Sequence, residues 1–145
     1  MKKIMLVSIL LLTVFMKIQA QFITVVKTNF DVLQASIVVD ENDFALVHKS
    51  AILLQQDIEA VTGKKIPILH ILNNGSKNNI IIGSITNCSF LKLLYPLKSS
   101  LVSIKNKWEA YHIETIKNNL IIVGNDRRGV AFGVLELSKQ IGVSP

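Results

Sequence analysis

The chain has 145 residues, 16 of them basic and 10 acidic, for a formal charge of +6, and it has one cysteine. A single cysteine excludes an intrachain disulfide, so this is not a disulfide-stapled module. The positive surplus is small and scattered, which argues against a nucleic-acid partner.

Residues 1–20 read MKKIMLVSILLLTVFMKIQA. Two lysines, an apolar run over 4–16 and a small residue at Ala20 make the three-part pattern of a secretory signal peptide. An uncleaved N-terminal anchor is the alternative, but the run is short for a membrane span and Lys17 interrupts it. No cysteine follows the expected cut, which argues against a bacterial lipoprotein, and no second apolar stretch is long enough to span a bilayer. Lys2, Lys3 and Lys17 leave with the signal, taking 16 basic residues to 13 against 10 acidic ones, a net +3. Residues 21–145 then suffice for one domain with one core. The expected location is secreted or periplasmic, with no membrane contact after cleavage.

Taken in chain order, residues 22–27 are β-branched and weakly alternating, and are predicted as a strand. Residues 37–39 give a short second strand. Asp40-Glu41-Asn42-Asp43 then places acids where the dipole of a following helix favours them. Phe44, Val47, Ala51, Leu54, Ile58 and Val61 recur at three and four, the most periodic face in the chain, and Thr62-Gly63 ends it. Residues 66–71 form a third strand with Pro67 near its start. A polar turn over 73–79 leads to a buried strand at 80–82, closed by Gly83-Ser84. A short helix is expected over 89–94, broken before Pro96; residues 97–107 carry no clear signal. Residues 108–116 alternate, with Trp108, Ala110, His112, Glu114 and Ile116 on one side, and residues 120–123 return after Lys117-Asn118-Asn119, which reads as a hairpin.

Gly124-Asn125-Asp126 makes a tight turn ending in an N-cap candidate. Val130, Val134, Leu137 and Ile141 mark one face of a last helix that stops at Gly142. Gly129 and Gly133, four apart, leave a flat patch where this helix lies close against a sheet. The order β-β-α-β-β-α-β-β-α predicts an α/β (α+β) fold, a mixed sheet of about six strands with two to three packed helices.

These stretches carry a resemblance. Residues 57–64, Asp-Ile-Glu-Ala-Val-Thr-Gly-Lys, close an amphipathic helix, and Ile81-Ile82-Gly83-Ser84-Ile85 follows a strand. Lys107-Trp108-Glu109 opens the hairpin. Gly124-Asn125-Asp126-Arg127-Arg128-Gly129 is followed by Phe132-Gly133, Leu137-Ser138 and 140–145, Gln-Ile-Gly-Val-Ser-Pro. Together they resemble the N-terminal domain of glycoside hydrolase family 115, the xylan α-1,2-glucuronidase type. The pattern is also similar to the α/β domain that precedes the catalytic barrel in families 20, 67 and 84. The resemblance covers nearly all of residues 21–145. It implies a secreted glycosidase that removes glucuronic acid or its methyl ether from xylan, with its catalytic carboxylates in the barrel after this domain. On that reading the chain is an accessory domain without its barrel, and its partners are that barrel and glucuronoxylan. A free-standing carbohydrate- or protein-binding module that kept the fold is the alternative.

A glycosidase needs two carboxyl groups set across the bond it breaks. The ten acids fall mostly on expected caps, hairpin edges and solvated helix faces, and no pair stands out, so no catalytic residue is assigned. Asp126, Arg127 and Arg128 are the best binding candidates. A helix N-terminus beside two arginines can hold a carboxylate such as glucuronate; the simpler reading has Asp126 cap the helix while the arginines meet acids of a neighbouring domain. Trp108 is expected at an inter-domain contact; on one strand with Tyr111 it would face the opposite side, so the two form no single sugar platform. His48, His70 and His112 lack metal-ligand spacing, and neither a metal nor a cofactor is called for. Cys88 reads as a small half-buried hydrophobe rather than a nucleophile. An exposed apolar patch is expected around Phe132, Val134 and 141–145. Asn74 and Asn87 head glycosylation sequons usable only on a eukaryotic secretory route.

Overall fold

The computed structural model describes residues 30–72, 78–94 and 99–143. The expected signal peptide, the strand at 22–27, the Asn74 sequon, most of the polar turn and the last two residues lie outside them.

Runs of β-branched and aliphatic residues make the strands. β1 (Ala35–Val39) is buried along its whole length, as are all but the first residue of β3 (Asn78–Ser84) and of β5 (Asn119–Gly124). Strands covered on both faces read as continuous apolar runs because neither side meets water. β2 (Ile68–Leu69) and β4 (Tyr111–Ile116) complete a five-stranded sheet of order β2-β1-β3-β5-β4 among the described residues. β1 is parallel to β2 and β3, β3 is parallel to β5, and β4 returns antiparallel to β5. The register aligns Ile37 with Ile80 and Ile80 with Leu120. β2 is shorter than the expected strand at 66–71. Pro67 has no N–H to give; its carbonyl accepts from Ile37 N at 2.9 Å instead.

Alternation along the strands divides the core in two. Ile37, Val39, Ile80, Ile82, Leu120 and Ile122 face α1 (Ala45–Thr62) and α4 (Arg127–Gln140). Val38, Ile81, Ile121 and Val123 face the side where Cys88, Leu91 of α2 (Ser89–Leu94) and Ile104 of α3 (Ser99–Ile104) pack. The result is a sheet between two helical layers. The expected α/β class holds, with α3 added in the stretch that carried no clear signal.

Three expectations are corrected. The acids before α1 do not cap it in the simple sense. The helix starts at Ala45 with Phe44 as N-cap and no side-chain cap bond; Asp43 Oδ1 accepts from Phe44 N at 2.8 Å just ahead of the helix, while Asp43 and Asp40 also bond Ser84 and Ser89. Val61 is 47% exposed, since the buried stripe ends at Ile58 and Gly63 closes the helix at φ 72°. Trp108 is not on β4. The strand starts at Tyr111, and Glu109, at φ 57°, turns the chain before it.

The two helix glycines do allow close approach. A Cβ on Gly129 would collide with the Ala110 carbonyl oxygen, and one on Gly133 would stand 2.7 Å from Ile122 Cγ2. α4 therefore lies on β4 and β5 at a distance no larger residue permits.

Candidate functional site

β5 delivers the chain to Asn125 and Asp126. Asn125 N donates to the Ala110 carbonyl, and Asn125 Oδ1 accepts from Asn106 N, both at 2.9 Å. Asp126 is extended and caps α4: its Oδ1 accepts from the N–H groups of Arg128 and Gly129 at 2.9 Å each. Its Oδ2 accepts from Glu109 N at 2.9 Å. Burial alone would raise the Asp126 pKa. The hydrogen bonds from Gly129, Glu109, Arg128 and Asn125 outweigh burial and hold it below the ordinary value.

Arg128 Nη2 meets Glu109 Oε1 at 2.7 Å, and its guanidinium carbon lies 5.7 Å from the centroid of the Trp108 ring, which is 75% exposed. Arg127 lies over Phe44, 6.0 Å from its centroid. The structure thus gathers Trp108, Asp126 and Arg128 around Glu109, a residue that sequence reasoning left among the hairpin-edge acids. Arg128 finds its acid inside the domain, where an acid of a neighbouring domain was expected. Two of the first three N–H groups of α4, those of Arg128 and Gly129, already bind Asp126, so a ligand carboxylate would compete with that side chain for them.

A second cluster sits outside the carboxyl ends of β1 and β3. The chain leaves β1 for β2 on one side and returns to β3 on the other, which makes this the switch point where open α/β sheets commonly bind ligands. Here the chain fills the place itself. Asp43 is 7% exposed; its Oδ2 accepts from Ser84 N and its Oδ1 from Ser84 Oγ, both at 2.8 Å. Asp40 is 4% exposed; its Oδ1 accepts from Asn42 N at 3.0 Å, and its Oδ2 from Ser89 N at 2.8 Å and from Ser89 Oγ. Burial pushes the Asp40 pKa up, but the Ser89 and Asn42 hydrogen bonds prevail and lower it. A glycosidase acid needs the opposite shift, so that it keeps its proton. Acids before a helix and serines after a strand were visible in the sequence; their pairing across more than 40 positions was not.

Cys88 is fully buried, and burial pushes its thiol up to about 12. Among the described residues no three His, Cys, Asp or Glu side chains gather to hold a metal, and no helix is long and apolar enough to cross a membrane.

The expected apolar patch is placed differently. Val134 is fully buried in the core, because it points from α4 onto the sheet. Phe132 and Leu135 are 39% and 48% exposed, and with Leu53, Tyr111 and Val143 they line a groove of about 500 Å3 across α1 and α4.

No protein-family model matches the chain, and no curated protein matches it. Solved structures do. The chain is similar to BtGH115A, a family GH115 4-O-methyl-α-glucuronidase with specificity for decorated arabinogalactans, at 26% identity and a TM-score of 0.63, covering 77% of this chain and 14% of that one. The fold is one that glycoside hydrolases carry. A GH138 enzyme targeting pectin rhamnogalacturonan II matches at 15% identity and a TM-score of 0.50 over 74% of this chain. CpGH84D matches at 12% identity and a TM-score of 0.53 over 83%; these two speak for the fold alone. The chain spans 13–21% of the length of the three.

Proposed function

We propose that this chain serves as the non-catalytic N-terminal α/β domain of an exported glycoside hydrolase of the α-glucuronidase type, acting on glucuronoxylan or a related uronic-acid-bearing polysaccharide. The observation that carries the reading is the match to the family GH115 structure, 26% identical over 77% of this chain yet only 14% of that chain. A domain of that share stands beside a larger catalytic part.

The chemistry of the acids supports the non-catalytic half of the reading. Asp40, Asp43 and Asp126 accept backbone N–H bonds, and Glu109 is paired with Arg128. Asp40 and Asp126 are held below the ordinary carboxylate range by these bonds, the opposite of the shift a glycosidase acid needs. On this reading the groove over α1 and α4 and the exposed Trp108 are the surfaces offered to the catalytic part. The test is the coding sequence downstream of Pro145. A glycosidase catalytic domain is expected there, in frame or displaced by a frameshift. A stop codon followed by unrelated sequence would overturn the reading.

A further inference from the structure

The fold brings together two histidines that lie 22 positions apart in sequence and show no ligand spacing. His48 is on α1 and His70 directly follows β2. Their ring centroids are 5.8 Å apart, with the planes tilted by 49°. His48 is half-buried and His70 is exposed, so water reaches the pair.

The 5.8 Å separation is that of an ordinary packed ring pair and also that of two rings sharing one metal ion. A zinc–imidazole nitrogen bond of about 2.0–2.1 Å places each ring centroid about 3 Å from the ion, so two rings on one ion stand about 5–6 Å apart. His70 is also prepared as a ligand. Its Nδ1 lies 3.1 Å from the Val39 carbonyl oxygen. A carbonyl can only accept, so Nδ1 carries the proton and Nε2 keeps its lone pair. A backbone carbonyl fixing one ring nitrogen while the other binds metal is the usual support of a histidine ligand.

We infer that His48 and His70 form a two-histidine surface site for a borderline divalent transition-metal ion, zinc in the first instance. Imidazole nitrogens suit zinc, copper and nickel over magnesium or calcium. No third His, Cys, Asp or Glu joins the pair among the described residues, so water completes the coordination and the site stays open. The ion would bind α1 to the end of β2, an edge strand with a two-residue ladder. Its effect would therefore be greatest on the least-paired strand of the sheet.

The test is calorimetric titration of ZnCl2 into the purified, tag-free chain, with thermal unfolding in ZnCl2 and in EDTA. One ion per chain is expected. The unfolding midpoint should rise by several degrees when free zinc exceeds the dissociation constant by about a hundredfold. Both effects should vanish in His48→Gln and in His70→Gln. They should persist in His112→Gln, on β4 at the far edge of the sheet. The EDTA midpoint reports whether each variant folds. Should His70→Gln lose stability through its Val39 bond, His48→Gln carries the test. Absence of binding by the parent chain, or binding that survives His48→Gln in a folded variant, would overturn the site.

Discussion

The carboxylate of Asp126 accepts a hydrogen bond from the backbone N–H of Glu109 at 2.9 Å, joining the start of α4 to the turn before β4. Glu109 sits at φ 57°, a conformation that L-residues adopt at a cost. The same Asp126 side chain caps α4, so one residue fixes a helix start and a strained turn 17 positions earlier.

Asp126→Ala removes the cap and leaves the Glu109 N–H, in a part-buried setting, without its acceptor. The expected loss is about 1–2 kcal/mol in a urea titration at pH 7. The Asp126 pKa is depressed in the folded state, so its contribution is complete above the unfolded value of about 3.9 and is lost as pH falls through the lower folded value. The gap between parent and variant should narrow in acid. A midpoint equal to the parent's at pH 7 would contradict the cap.

The helix, its cap and its glycines were legible because each is written locally: Asp126 before an apolar stripe, Gly129 and Gly133 one turn apart. The parallel strands were legible as unbroken aliphatic runs. Side-chain pairings between distant segments were not legible. Glu109 meets Arg128, and Asp43 meets Ser84, only once the sheet has brought their loops together. Trp108 was misplaced because the alternation of 108–116 continues through Glu109 in sequence, while the backbone turns there. The approach of the His48 and His70 rings was not legible for the same reason: spacing along a chain says nothing of rings that meet between a helix and a strand end.

Asp40→Asn should destabilise the domain by about 1–3 kcal/mol at neutral pH. Both Asp40 oxygens accept from backbone N–H groups, those of Asn42 and Ser89, and an amide nitrogen in either place would face a donor. The folded Asp40 pKa is lowered, so this stabilisation is present above about 3.9 and fades as pH falls through the folded value. Urea titrations of parent and variant from neutral pH into acid check it; a constant difference below pH 4 would count against the account.

Cys88 should resist alkylation. Its thiol is fully buried and pushed up to about 12, so very little thiolate exists at pH 8. Iodoacetamide followed by mass spectrometry should leave the native chain unmodified and label it fully in denaturant. Labelling of the native chain at the rate of a free thiol would show that the packing around Cys88 opens.

Export is expected to remove residues 1–20. N-terminal sequencing of secreted or periplasmic protein should begin at Gln21. A cytosolic product starting at Met1 would refute the signal reading.

On the proposed reading the chain is expected to carry no glycosidase chemistry of its own. The measurement is release of 4-O-methylglucuronic acid from glucuronoxylan by purified residues 21–145, at a concentration where a barrel-containing family 115 enzyme is active. No release above the substrate blank is expected. Turnover that co-purifies with the chain, and is lost when Glu109 or Asp126 is replaced in a variant that still folds, would contradict it.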